Sequence, residues 1–143
     1  MPADPIRITS SGVDLSDRFA ASTTVVASPA AAAETIIGSL TLGANLSTKL
    51  GVLLTGWAAY TVGTSGSAVQ LRLRQTQVAG TLVAASGALT GSQHGAGILS
   101  ADDIQGLDTA PVFPGQVYVL TMQVTAGAAA STVSAVFLAA FAI

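Results

Sequence analysis

The alternation of apolar and polar residues from Ala68 to Gln75 constrains this chain more than any other feature. Val69, Leu71 and Leu73 share one parity, and Gln70, Arg72 and Arg74 share the other. Successive side chains of a strand point to opposite faces, so a period of two predicts a strand with one buried and one wet side. Gln116 to Thr125 repeats the pattern, with Tyr118, Leu120, Met122 and Val124 set against Thr121, Gln123 and Thr125. Leu50 to Val62 is a longer strand, and its Trp57 and Tyr60 are expected inside. Glu34 to Leu42 places Ile36, Leu40 and Leu42 on the parity of Gly38. Thr23 to Ser28, Gly80 to Ser86 and Ile104 to Ala110 are shorter strand candidates. Gly43-Ala44-Asn45, Gly63 to Gly66, Pro114-Gly115 and Gly127 to Ala130 are turn signals, and Gly87 to Gly97 is a polar loop. Ala30 to Ala33 is too short for a helix of its own. Roughly seven to nine strands at short spacing, with no helix, predict an all-β chain folded as a jelly-roll-like antiparallel β-sandwich.

The last segment tests that prediction. Ala126 to Ile143 is strongly apolar, and no charge follows Asp108. A membrane helix needs about 20 such residues with basic flanks. Here Ser131, Thr132 and Ser134 interrupt the run, and no Lys or Arg flanks it. Its β-branched and aromatic residues favour a strand, so no membrane association is expected. Counted by parity, Val133, Phe137 and Phe141 lie on one face, and Val136 and Leu138 on the other. A strand apolar on both faces sits centrally or at a subunit interface, and these five residues are the candidate interface.

Residues 1–22 form a separate unit, an extended N-terminal arm preceding a sandwich of residues 23–143. Pro2 and Pro5 oppose regular structure, and five of the twelve charged residues fall in this stretch. Ile6, Ile8, Val13, Leu15 and Phe19 are spaced apolar handholds, with Arg7 and Arg18 between them. Such a segment cannot build a core of its own. It is either a frayed terminus or an arm that docks on a neighbour, and the apolar spacing exceeds what a solubilising tail needs. The start carries no basic region followed by an apolar core, so no secretory signal is expected.

Composition bears on partners. Half the residues are apolar but only 8% are charged, against about 25% in an ordinary soluble domain. A surface of uncharged Ala, Ser, Thr and Gly is expected to be covered in part by copies of the chain. The net charge of −2 gives nucleic-acid binding no electrostatic support. Arg72 and Arg74 share a strand face. They are either solvated or paired with Glu34, Asp102 or Asp103, or they form a docking face for an acidic surface.

The catalytic inventory is nearly empty. There is no cysteine, which excludes disulfides and thiol chemistry. The single histidine, His94, lies in a Gly-Ser-Gln-His-Gly loop without a second ligand. Asp102 and Asp103 are adjacent, so on a strand they would face opposite ways. They are expected in a turn that lacks the ligand pattern of a calcium loop. No nucleophile elbow, phosphate loop or dinucleotide fingerprint is present. No catalytic residue, metal site or cofactor is expected.

Gly56-Trp57-Ala58-Ala59-Tyr60-Thr61, then the glycine turn, then Ala68 to Arg74, then Gly80 to Ser86 resembles a pattern in tailed-bacteriophage virion proteins. Pro114 to Leu120 and the apolar final strand extend the resemblance over roughly residues 35–143, although its motifs are loose strand patterns. Similar proteins include jelly-roll capsid decoration (cement) proteins and domains of tail or fibre proteins. The resemblance implies a homotrimer on the capsid exterior, bound to the major capsid protein through its arm, with no catalytic residues. A tail, fibre or adhesin-type jelly-roll binding module, or a tumour-necrosis-factor-like trimer in a spore coat, would look similar.

Overall fold

Eight strands follow one another in the computed structural model, which describes residues 18–30, 33–43, 51–86, 95–111, 115–124 and 130–143. They are β1 (Phe19–Ser22), β2 (Thr35–Thr41), β3 (Val52–Thr61), β4 (Val69–Gln75), β5 (Leu82–Ala85), β6 (Ser100–Asp108), β7 (Val117–Val124) and β8 (Thr132–Ala142). β1 pairs with β8, β2 with β7, β3 with β6 and β4 with β5, all antiparallel. The chain is thus one long hairpin whose first half lies against its second. Rolling that hairpin brings β8 beside β3 and β7 beside β4. Two four-stranded sheets result, ordered β1-β8-β3-β6 and β2-β7-β4-β5. This is a jelly roll, an all-β antiparallel sandwich.

The alternating segments behave as their parity dictates. Val69, Leu71 and Leu73 of β4 point into the sandwich, and Tyr118, Leu120, Met122 and Val124 of β7 meet them there. Leu54, Ala58, Tyr60, Val136, Leu138 and Ala140 line the opposing sheet. The sheets approach closely where Gly56 of β3 leaves room for Leu120 of β7. A Cβ added to Gly56 would lie 2.9 Å from Leu120 Cδ1 and 3.2 Å from Ile104 Cγ2. At the β4–β5 turn the backbone itself closes in, because a Cβ on Gly80 would lie 1.7 Å from the carbonyl oxygen of Gln75.

Four expectations need correction. β6 begins at Ser100, so Asp102 and Asp103 lie within a strand and not in a turn. Asp102 faces inward because Tyr60 supplies a hydroxyl to its carboxylate. Thr23 to Ser28 is not a strand; its one ladder-like bond runs from Val26 N to Ile37 O, at 2.9 Å. In β2 the pairing skips a residue between Ile36 and Gly38, and this bulge turns Ile37, not Ile36, into the core. In β8 the register shifts opposite Ala59 and Tyr60, leaving Ser134 as the extra residue. The shift breaks the parity count. Val133, Val136 and Leu138 all face the core, while Phe137 and Phe141 face out.

The apolar C-terminal run is therefore the strand β8, between β1 and β3. Among the described residues no helix is long and apolar enough to cross a membrane.

Candidate interaction face

The outer side of the β1-β8-β3-β6 sheet is ordered by register into rows that run across the strands. Phe19 pairs with Phe141, Phe141 with Leu53, and Leu53 with Leu107. That row crosses all four strands with a large apolar side chain on each. The next row is Ala21, Ala139, Thr55 and Gln105. Beyond it Phe137 pairs with Trp57, and Trp57 with Asp103. The last row is Ala135, Ala59 and Ala101. Tall and short rows alternate along the sheet.

The tall rows are open to solvent. Phe19, Leu53 and Leu107 are 51%, 47% and 46% exposed, Phe141 is 39% exposed, and Trp57 and Phe137 are 38% exposed. Beside the first tall row, over the short row next to it, lies a cavity of about 210 Å³ lined by Phe19, Leu53, Thr55, Gln105, Ala139 and Phe141. Neither β1, β3 nor β8 contains a charged residue. The acids of this sheet, Asp102, Asp103 and Asp108, all lie on the edge strand β6. Trp57, expected inside, is thus part of the exposed face. Its odd position on β3 sets it against the inward Leu54, Gly56 and Ala58.

The structure divides the predicted interface residues. Phe137 and Phe141 belong to this face, while Val133, Val136 and Leu138 are covered by the opposite sheet of the same chain. Of the arm residues, Phe19 opens β1 and joins the tall row, and the backbone carbonyl of Arg18 accepts a bond from Ala142 N at 2.8 Å. Ile6, Arg7, Ile8, Val13 and Leu15 lie outside the described residues, as does His94.

Arg72 and Arg74 sit on the outer side of the other sheet, and they do not form an open docking face. Glu34 closes them off. Its carboxylate takes Arg74 Nε at 2.6 Å and Arg74 Nη2 at 3.1 Å, while Arg72 Nη1 lies 3.1 Å from Oε2. Arg72 Nη1 also donates to Gln123 Oε1 at 2.6 Å, and the Thr121 hydroxyl donates to Glu34. Burial by itself would raise the Glu34 carboxyl. The hydrogen bonds from Arg74 and Thr121 and the charges of both arginines outweigh it and hold the group below its ordinary range.

Two tyrosine–aspartate pairs anchor opposite ends of β6. Tyr60 donates to Asp102. Tyr118 donates to Asp108 Oδ2 at 2.7 Å, which also takes Gln75 Nε2 at 2.6 Å, and Asp108 Oδ1 accepts Ala110 N at 3.0 Å. Burial, followed by the hydrogen bond to and charge of the partner aspartate, pushes both phenols well above their ordinary value. In the unfolded chain they ionise near pH 10. Their contribution is therefore whole below about pH 10 and is lost as pH rises beyond it. Thermal midpoints are expected to fall between about pH 10 and pH 11, and Tyr118→Phe should flatten that fall while costing about 1 kcal/mol at neutral pH. An unchanged alkaline slope in the variant would contradict the assignment.

Among the described residues no group of three or more His, Cys, Asp or Glu side chains could hold a metal ion.

No protein-family model matches the sequence, and no curated protein matches it. Solved structures do match the fold. The infectious bursal disease virus VP2 subviral particle gives a TM-score of 0.57 at 11% identity, over 87% of this chain and 32% of that one. The Gx strain of that virus gives 0.55 at 14% identity, over 91% and 34%. The Gt strain gives 0.55 at 11%, over 99% and 38%. The chain spans about a third of the length of these viral proteins. What the chain shares with them is the fold, the jelly-roll sandwich of two four-stranded sheets.

Proposed function

We propose that this chain is a non-enzymatic structural module of a tailed-bacteriophage particle that works by binding, as an oligomer, to like subunits and a larger assembly. The observation that carries this reading is the exposed apolar face, uncharged on β1, β3 and β8, on a jelly roll like those of the viral structures. Water tolerates such a face poorly, and a partner covers it in the assembled state.

Two forms of the module differ in location. A tail, fibre or adhesin-type binding module is favoured by the exposed Trp57 and by the closure of Arg72 and Arg74 on Glu34, which removes a basic surface for an acidic shell. A homotrimeric decoration (cement) protein on the capsid exterior, gripping the major capsid protein through its arm, is favoured by the spaced apolar residues Ile6, Ile8, Val13 and Leu15. Quantifying the chain in purified particles separates them. A few copies per particle mark the tail or fibre module, on the order of hundreds mark decoration, and absence from particles overturns both.

The pairing of β1 with β8 supports ending an arm deletion before Arg18. Removing residues 1–17 is expected to leave the sandwich folded, and under the decoration reading it abolishes particle binding. Removing residues 1–22 strips β1 from β8 and exposes the β8 edge, so aggregation is the expected result. Light scattering of the two truncations checks this.

A further inference from the structure

We infer that the outer face of the β1-β8-β3-β6 sheet is a self-complementary interface in which the tall rows of one copy seat in the short rows of a second copy. This rests on the self-assembly reading above and adds the face and its register.

Residues two apart on a strand are separated by roughly 6.5–6.8 Å. The row Phe19-Phe141-Leu53-Leu107 and the row Phe137-Trp57 are ridges. The row Ala21-Ala139-Thr55-Gln105 and the row Ala135-Ala59-Ala101 are the grooves beside them. Ridge and groove thus alternate at one spacing, and a face that carries both can mesh with its own image after a shift of one row. Packed sheets keep their strands within about 30° of each other, which lets a ridge follow a groove across the sheet. A two-fold axis lying in the interface, perpendicular to the strands, inverts the row order and sets Leu53 or Trp57 of one copy over Thr55 of the other.

Six large side chains that are roughly two-fifths to one-half exposed, at about 200 Å² each, leave on the order of 500 Å² of contiguous apolar surface. Thr55, Ala21 and Gln105 carry the face toward the ~800 Å² per partner of a standard interface. The three strands β1, β8 and β3 bring no charge into it, so two copies meet without like-charge repulsion at the centre. Asp103 stands at the margin on β6, where water still reaches it.

The absence of cysteine makes the register directly measurable. Thr55→Cys is mixed, under mild oxidation, with Leu53→Cys and separately with Trp57→Cys. At least one mixed pair is expected to cross-link several-fold faster than Thr55→Cys with itself. Self-pairing of Thr55→Cys as fast as both mixed pairs would overturn the register. In parallel, sedimentation of the full chain is expected to show a dimer, the closed product of a two-fold interface, that Leu53→Lys and Thr55→Arg each weaken at least tenfold, and a trimer would overturn the two-fold register. Ala85→Lys, on the other sheet, should leave it unchanged. All these positions are exposed or half-exposed, so folding survives, and circular dichroism verifies it. A wild-type chain that stays a single subunit at about 100 µM overturns the inference, while the particle count judges the functional reading separately. An oligomer indifferent to both variants overturns the face alone. A single subunit that binds immobilised glycans, and loses them with Trp57→Ala, assigns the face to sugar instead.

Discussion

Replacing Glu34 with alanine is expected to remove about 3 kcal/mol of folding stability, because it strands two guanidinium groups that solvent reaches poorly. The side chains of Arg72 and Arg74 are only 15% and 17% exposed, and Glu34 is 12% exposed. Both arginines keep one bond each, to Gln123 and to the Gly80 carbonyl, but lose their counter-charge. Converting all three residues to apolar side chains of similar size should be close to neutral, since the pair then disappears together with its desolvation cost. The pH dependence follows from the depressed carboxyl. A folded value below the ordinary 4.5 gives stability that is present above that pH and is lost as pH falls through the folded value. Urea midpoints of the wild type should drop on acidification below about pH 4.5, and Glu34→Ala should drop less. Equal acid slopes would show that Glu34 is not the group responsible.

Leu120→Ala is expected to cost about 3–5 kcal/mol, the upper range for a buried leucine, because the site cannot collapse. Leu120 is fully buried, and its Cδ atoms occupy the space over Gly56. Gly56→Ala alone should cost about 1–3 kcal/mol, since its new Cβ lands 2.9 Å from Leu120 Cδ1. Together the two substitutions should cost less than their sum by about 1 kcal/mol, because the added methyl partly fills the space that leucine vacates. A double-mutant cycle by urea denaturation measures that coupling. Strict additivity would mean that the glycine and the leucine do not meet.

The sandwich was legible wherever alternation ran unbroken. β4 and β7 follow their parity, and β3 spans most of the segment assigned to it. Single-residue bulges defeated the count elsewhere. The extra Ser134 moved Val133 to the same side as Val136 and Leu138, and the irregularity at Ile37 displaced Ile36 from the core. Such a bulge has no sequence signature among small and β-branched residues. β6 was partly hidden because acids are rare in strands, yet here they suit a free edge. Charges on an edge strand oppose pairing with another molecule's edge. The apolar face was half legible. Phe137 and Phe141 were placed at an interface, while the rows that join them to Phe19, Leu53 and Leu107 depend on cross-strand register, which no local pattern carries.

The position of β8 has a consequence for biogenesis. Of the eight described strands β8 is made after the others, and it is the one that sits between β1 and β3. Until it arrives, β1 has no partner and β3 is bound on one side only. Half the molecule therefore waits, sticky and incomplete, for its closing segment, and long-range pairing of this kind is slow. Premature termination before Thr132 would yield not a smaller version of the protein but a nascent chain in need of a chaperone.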